Sequence, residues 1–186
     1  MTTNDARRGK TILIGASEAG KTTLIQTLSH QAGTAAKTMT VAHRFNFIDT
    51  PGEYIEHRSF YKALIVTAAD ADRIGLVLAC GCDDCWIPPA FAASFAKPVF
   101  GIVTKADLAR ERSVWEAARE PLRRAGADPV FVLSAWSGQG LAGLAAYLGL
   151  PAPDGRALPA GEPLPAGRAV GAADRAAVGL RGGDDG

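Results

Sequence analysis

Short apolar runs of strand length alternate along this chain with stretches whose apolar positions return every three or four residues. Lys10-Thr11-Ile12-Leu13-Ile14 is β-branched and predicts a strand, and Leu24, Ile25 and Leu28 fall at helical spacing between Lys21 and Ser29. Phe45-Asn46-Phe47-Ile48, Ile74 to Ala79, Pro98 to Val103 and Val130-Phe131-Val132-Leu133 predict further strands. Of these, Ile74 to Ala79 is apolar throughout and is expected at the centre of the sheet. A second helix is expected from about Ile55 to Ala68. Ser113 and Glu116 form a capping-box pair that opens a third toward Gly126, with a kink or break at Pro121. The last helix carries Leu141, Leu144 and Leu148 on one face and stops at Gly149, with Pro151 just beyond. Alternating strands and helices, without an internal repeat, predict an α/β fold of three layers, a mainly parallel central sheet with helices on both faces.

Composition narrows the class. The 186 residues, 47% hydrophobic and 21% charged, suffice for one ordinary core. A formal net charge of +1, with no basic stripe carrying interleaved aromatics, argues against nucleic acid as a partner. The longest apolar stretches are strand-sized, so neither a signal peptide nor a membrane span is expected, and the expected location is the cytoplasm. Residues 1–9 are polar, with Arg7 and Arg8, and are expected to fray as a flexible N-terminus. From Pro151 to Gly186 the chain turns to Pro, Gly, Ala and scattered opposite charges with no aromatic residue. That segment buries too little apolar area to offset ordering, and the expectation is a disordered tail, leaving residues 10–150 as the domain.

Chemistry enters between the first strand and the first helix. Gly15-Ala16-Ser17-Glu18-Ala19-Gly20-Lys21-Thr22 matches G-x-x-x-x-G-K-[ST] at every fixed position. The glycines let the backbone wrap a polyphosphate with its N–H groups inward, and the helix beginning near Gly20 adds its positive dipole end. Gly15, Ser17, Glu18, Ala19, Gly20, Lys21, Thr22 and Thr23 are thus the candidate nucleotide contacts. Lys21 is a mobile point charge for the β- and γ-phosphates, and the Thr22 hydroxyl is a hard ligand suited to magnesium. In Asp49-Thr50-Pro51-Gly52, after the strand ending at Ile48, Asp49 is placed to hold a magnesium-bound water and the Gly52 N–H to meet the γ-phosphate. Glu18 puts a carboxylate into an anion-binding loop, which repels phosphate unless it points outward or a cation neutralises it.

Two later stations specify the base. Thr104-Lys105-Ala106-Asp107 fits the guanine-reading pattern [NT]-K-x-D, in which Asp107 accepts hydrogen bonds from N1–H and the exocyclic amino group and Lys105 lays its stem along base and ribose. Adenine lacks that paired donor edge, and leaving a buried carboxylate unpaired costs on the order of a few kcal/mol, which is expected to select against ATP. Ser134-Ala135-Trp136 follows the last strand, where a backbone N–H near Ala135 approaches the guanine carbonyl. In this order the stations resemble those of small GTP-binding domains and imply a P-loop NTPase fold that binds GTP or GDP with Mg2+. Cys80, Cys82 and Cys85 cluster on the ligand-bearing edge after the central strand; reduced loop cysteines lead over a metal site or a redox pair. His30, His43 and His57 form no cluster.

The block Asp49-Thr50-Pro51-Gly52-Glu53-Tyr54, followed by His57, Tyr61, Ala63, Leu64 and Ile65, resembles the EutP/PduV family of small GTPase-like proteins, and the resemblance spans about Thr11 to Leu150. It implies a setting in ethanolamine or propanediol use linked to bacterial microcompartments, with a shell protein or enzyme as partner; the N-terminus is then a candidate docking address. Glu53 lies where many GTPases keep a glutamine that orients the attacking water. A carboxylate there accepts a proton but donates no hydrogen bond, so unaided hydrolysis is expected to be slow, on the order of 10⁻³ per second or less. Lys21, Gly52 and Glu53 are the candidate catalytic residues, and Thr22, Thr38 and Asp49 the candidate magnesium ligands. Thr38 follows Lys37 as in the family, with Thr34 and Thr40 as alternatives; about ten residues separate it from Asp49, so the hairpin between must be tight and its outer strand short. Related GTPases carry a potassium-holding asparagine at the loop position of Glu18, which leaves a solvated carboxylate or a K+ site as its two readings. The expected function is a slow Mg2+-dependent GTPase acting as a switch. The alternatives are a microcompartment-associated binding module with structural nucleotide and an acetate kinase-type phosphotransferase using ATP. Oligomeric state is not legible.

Overall fold

A computed structural model of the protein describes residues 9–29, 42–44, 46–82, 87–109 and 111–150. Thr34, Thr38, Thr40, Cys85 and the segments 1–8 and 151–186 lie outside the described residues.

In chain order the elements are β1 (Thr11–Ile14), α1 (Lys21–Ser29), β2 (Ala42–Arg44), β3 (Phe47–Asp49), α2 (Glu53–Glu56), α3 (Tyr61–Ala69), β4 (Arg73–Ala79), β5 (Val99–Thr104), α4 (Arg112–Arg124), β6 (Val130–Val132) and α5 (Leu141–Leu148). Short 3-10 turns cover Arg58–Phe60, Phe91–Ser94 and Ala106–Leu108. The strands form a six-stranded sheet in the order β2-β3-β1-β4-β5-β6. Every neighbouring pair is parallel except β2 with β3, the hairpin at one edge, where Asn46 makes the tight turn at φ 64°.

The pleat sorts side chains to opposite faces, and each face has its own core. Ile12, Ile14, Ile74, Leu76 and Leu78 pack with Leu64 and Ala68 of α3 and with Ala118 and Leu122 of α4. Leu13, Val77, Phe100 and Ile102 pack with Leu24 and Ile25 of α1 and with Leu141, Leu144 and Leu148 of α5. The molecule is therefore the expected three-layer α/β sandwich, with β4 between β1 and β5 and buried along almost its whole length. From β1 the chain crosses toward β3, whereas from β4 it crosses toward β5, so the strand order reverses beside β1. A crevice opens at such a point outside the carboxyl ends of the strands.

Three local expectations are corrected. The helix expected over Ile55 to Ala68 is divided: α2 ends at Glu56, His57 is extended (φ −116°, ψ 119°), and α3 begins at Tyr61. Ser113 is not an N-cap, because Glu111 is the extended residue before α4 and the Ser113 hydroxyl donates back to its carboxylate at 3.1 Å. Glu116 pairs instead with Arg119 at 2.6 Å. Pro121 does not break α4, which continues to Arg124, with the Ala125 N–H reaching the Pro121 carbonyl at 2.9 Å.

Candidate functional site

All the chemically distinctive segments leave the sheet at the same edge. β1 leads into Gly15, β3 ends on Asp49, β4 leads to Cys80, β5 ends on Thr104 and β6 leads through Leu133 to Ser134. Residues far apart in sequence are thereby brought to one end of the sheet.

The loop after β1 is tightly seated. A Cβ on Gly15 would lie 2.3 Å from the Val77 carbonyl oxygen of β4, so only glycine lets the chain leave the sheet at this height. Glu18 takes φ 60° to turn the loop, and its side chain is exposed, the outward arrangement that spares an anion its charge. Ser17 and Thr23 are exposed, Ala19 is buried, and Gly20 precedes the first residue of α1.

Lys21 is buried, and its Nζ donates to the carbonyls of Gly15 at 2.7 Å and Ala16 at 2.8 Å. Burial lowers its pKa from the ordinary value, and the carboxylates of Asp49 and Glu56 oppose that shift. The Thr22 hydroxyl donates to Asp49 Oδ2 at 2.7 Å. The other oxygen of Asp49, Oδ1, is buried without a hydrogen-bond partner. An acceptor left unpaired in the interior is costly. A hydroxyl beside an unpartnered carboxylate oxygen is a donor set that suits a hard divalent cation and its bound water, so Thr22 and Asp49 fit Mg2+. Neighbouring Thr50 braces this strand end by donating to the Leu13 carbonyl at 2.7 Å.

The segment after Asp49 lies on the loop itself. A Cβ on Gly52 would fall 2.1 Å from the Ser17 nitrogen, an approach no other residue type permits. One turn later the Ser17 N–H donates to Glu56 Oε1 at 2.6 Å. Glu53, the carboxylate expected near the reacting phosphate, is exposed on the first turn of α2. Glu56 is a residue that sequence reasoning missed. Its only signal was a carboxylate one turn from Gly52, hidden inside what read as a longer helix.

The residues expected to read the base form the other end. Thr104 is buried, and its hydroxyl donates to the Ala19 carbonyl at 2.6 Å, tying β5 to the phosphate loop across 85 residues. Lys105 adopts φ 57°, and this left-handed turn starts the 3-10 turn that carries Asp107. Asp107 is exposed, with one carboxylate oxygen held by the hydroxyl of fully buried Ser134. Ser134 is itself fixed, because its N–H donates to the Gln139 carbonyl at 2.9 Å and its Oγ accepts from the Ser137 N–H at 3.1 Å. Ala135 is half-buried and Trp136 is 48% exposed beside it. From behind, the Trp115 indole of α4 donates to the Ala106 carbonyl at 3.2 Å.

Cys80 is a buried free thiol whose N–H donates to the Thr104 carbonyl at 2.9 Å. Burial, assisted by the Asp107 carboxylate, pushes its pKa up, which makes it a poor nucleophile. The expectation of reduced thiols holds for Cys80 but not for Cys82, which is disulfide-bonded. Among the described residues no group of three or more His, Cys, Asp or Glu side chains is arranged to hold a metal, and no helix is long and apolar enough to cross a membrane.

Comparison with known proteins agrees with this geometry. The family model described as ethanolamine utilisation and propanediol utilisation matches residues 8–150. The chain is 42% identical over 132 residues to the propanediol utilization protein PduV of Citrobacter freundii, covering 70% of this chain and 86% of that one. It is 34% identical over 140 residues to a protein named probable acetate kinase EutP from Salmonella typhimurium, covering 73% and 86%. Among solved structures it is similar to the bacterial selenocysteine-specific elongation factor EF-Sec, with a TM-score of 0.50 and 24% identity. That likeness covers 75% of this chain but only 28% of the elongation factor, and it bears on the fold.

Proposed function

Because this chain belongs to the PduV–EutP family of ethanolamine and propanediol utilisation proteins, we propose that it is a guanine-nucleotide-binding switch that hydrolyses GTP slowly with Mg2+. The observation that carries this reading is the Thr104–Ala19 hydrogen bond of 2.6 Å, which joins a phosphate loop to a guanine-reading turn at one edge of the sheet. The microcompartment setting, with a shell protein or enzyme as partner, belongs to the same proposal.

In the proposed complex the N–H groups of the loop from Ser17 to Thr23 face the phosphates, and Lys21 leaves the carbonyls of Gly15 and Ala16 for the β- and γ-phosphate oxygens. Burial disfavours the lysine charge, and an anion brought to Nζ offsets that cost. Thr22 and Asp49, with Thr38, would hold Mg2+, which would neutralise charge on the phosphates. Gly52 presents its N–H to the γ-phosphate and Glu53 accepts a proton from the attacking water. The water oxygen bonds to the γ-phosphorus as the bond to the β-bridging oxygen breaks, leaving GDP and phosphate. Asp107 accepts from the guanine edge, with Lys105 along the base and Ala135 and Trp136 beyond it. K+ beside Glu18 is retained as part of the proposal.

A second reading has one observation behind it, the name of the 34% identical relative, which points to phosphoryl transfer to acetate. The Asp107–Ser134 pair weighs against it, since it favours guanine over the adenine that such a reaction prefers. Calorimetric titration with GTP, GDP and ATP, followed by assays for free phosphate and for acetyl phosphate, separates the readings. Tight GTP and GDP binding with slow phosphate release supports the switch. Equal ATP affinity or acetate-dependent turnover overturns it, and turnover with no effect of nucleotide on partner affinity leaves only the binding-module role.

A further inference from the structure

We propose that Glu56 is the residue that distinguishes a triphosphate from a diphosphate: its carboxylate holds a backbone donor of the phosphate loop, and an incoming γ-phosphate displaces it. The inference rests on the nucleotide reading above and concerns which protein group yields to the third phosphate.

The geometry points to competition rather than to ordinary surface pairing. The Ser17 N–H belongs to a loop built to present backbone donors to an anion, and Glu56 Oε1 accepts from it at 2.6 Å. The same carboxylate acts on Lys21, the charge meant for the β- and γ-phosphates, alongside Asp49. Glu56 is exposed, so its position comes from the loop rather than from enclosure by the core. Around it the backbone is arranged for one purpose. Gly52 lies flush on Ser17, α2 makes one turn, Glu56 reaches back to the same residue, and the chain then becomes extended at His57.

A γ-phosphate drawn to Lys21 brings a second negative group into the field of Glu56, and like charges a few Å apart repel. The phosphate carries the greater charge and more acceptors, so Glu56 is the group that leaves. Released from Ser17, α2 keeps one buried side chain, Ile55. Its movement passes to the next turn through Tyr54, stacked on Phe60 at 5.5 Å, and through His57, edge-on to Phe60 at 6.2 Å. GDP ends at the β-phosphate and leaves the Glu56–Ser17 contact intact.

The test compares wild type with Glu56→Ala and Glu56→Gln, titrating each with GDP and with a non-hydrolysable GTP analogue in Mg2+, and follows the Ser17 amide by NMR. Glu56→Gln keeps the shape and removes only the charge. The affinity ratio of analogue over GDP is expected to rise about three- to tenfold in Glu56→Ala and in the same direction in Glu56→Gln. The difference in Ser17 amide resonance between wild type and Glu56→Ala, upfield in the variant, is expected to be present without nucleotide and with GDP and to collapse on adding the analogue. Wild type that binds both nucleotides, with an unchanged ratio in both variants or with a Ser17 resonance indifferent to Glu56→Ala, overturns the inference alone. Wild type that binds neither nucleotide overturns the functional reading and this inference with it.

Discussion

At the phosphate end of the crevice, Lys21 bonds the loop's own carbonyls, Thr22 bonds Asp49, and the Ser17 N–H bonds Glu56. At the base end, Ser134 and Trp115 brace the turn from behind, and Asp107 stands exposed at its tip. The first region, Asp49 Oδ1 apart, pairs its polar groups internally and must exchange partners when a ligand arrives, whereas the second is already assembled. Preorganised groups lose little on binding, which suits recognition. Groups that must change partners couple binding to movement, which suits a switch. Under the proposed function, the base end would decide which nucleotide enters and the phosphate end what its arrival does.

Substitutions at each end break the comparison in different ways. Lys21→Met should have the largest effect, weakening GTP and GDP together by roughly 10- to 150-fold while leaving the preference for guanine over adenine intact, as read by calorimetry. A matching loss of guanine preference would mean that the two ends are not separate. Asp107→Asn should do the converse, lowering GTP affinity on the order of tenfold with little change for ATP. Thr104→Val removes the tie between the ends and leaves the buried Ala19 carbonyl without its partner. It should cost about 1–3 kcal/mol of stability, or several degrees in Tm, and weaken both base selection and phosphate grip by modest factors.

The smallest effect sharpens the electrostatics of the phosphate end. Burial lowers the pKa of Lys21 from 10.5, so between its lowered value and 10.5 the unfolded chain holds more protons than the folded one. Stability contributed through this group therefore rises with pH across that window. Tyr61 and Cys80 are both raised by burial, and their contributions fall as pH climbs past their ordinary values of 10.0 and 9.0. The Lys21 contribution is read as the difference between wild type and Lys21→Met in denaturant titrations above neutrality. Wild type should gain on the variant as pH rises in the absence of nucleotide.

Legibility in the sequence followed the locality of the physics. The phosphate loop, Asp49, the Thr104 to Asp107 turn, Ser134 and the three-leucine face of α5 were readable, because each is specified by residues adjacent in sequence or at fixed helical spacing. The break at His57 was not. No proline or glycine marks Glu56-His57-Arg58-Ser59-Phe60, and the apolar spacing runs on through it. What divides α2 from α3 is docking onto Ser17, a contact across 39 residues. Ser113 and Glu116 had the right spacing for a cap but the wrong register, since α4 already begins at Arg112. Pro121 stays inside a helix whose Ala118 and Leu122 are anchored in the core, so packing outweighed local preference.

The indole of Trp115 gives the helix on one flank of the sheet a hold on the turn that carries the purine-reading carboxylate. That flank is shared with α3 in the same core. Movement of α4 would reach the turn of Asp107 through this bond without passing through Thr22 or Asp49. Under the proposed function, nucleotide exchange would thus have a lever on the α4 flank, apart from the residues assigned to hydrolysis, and the two halves of the cycle would be open to separate control.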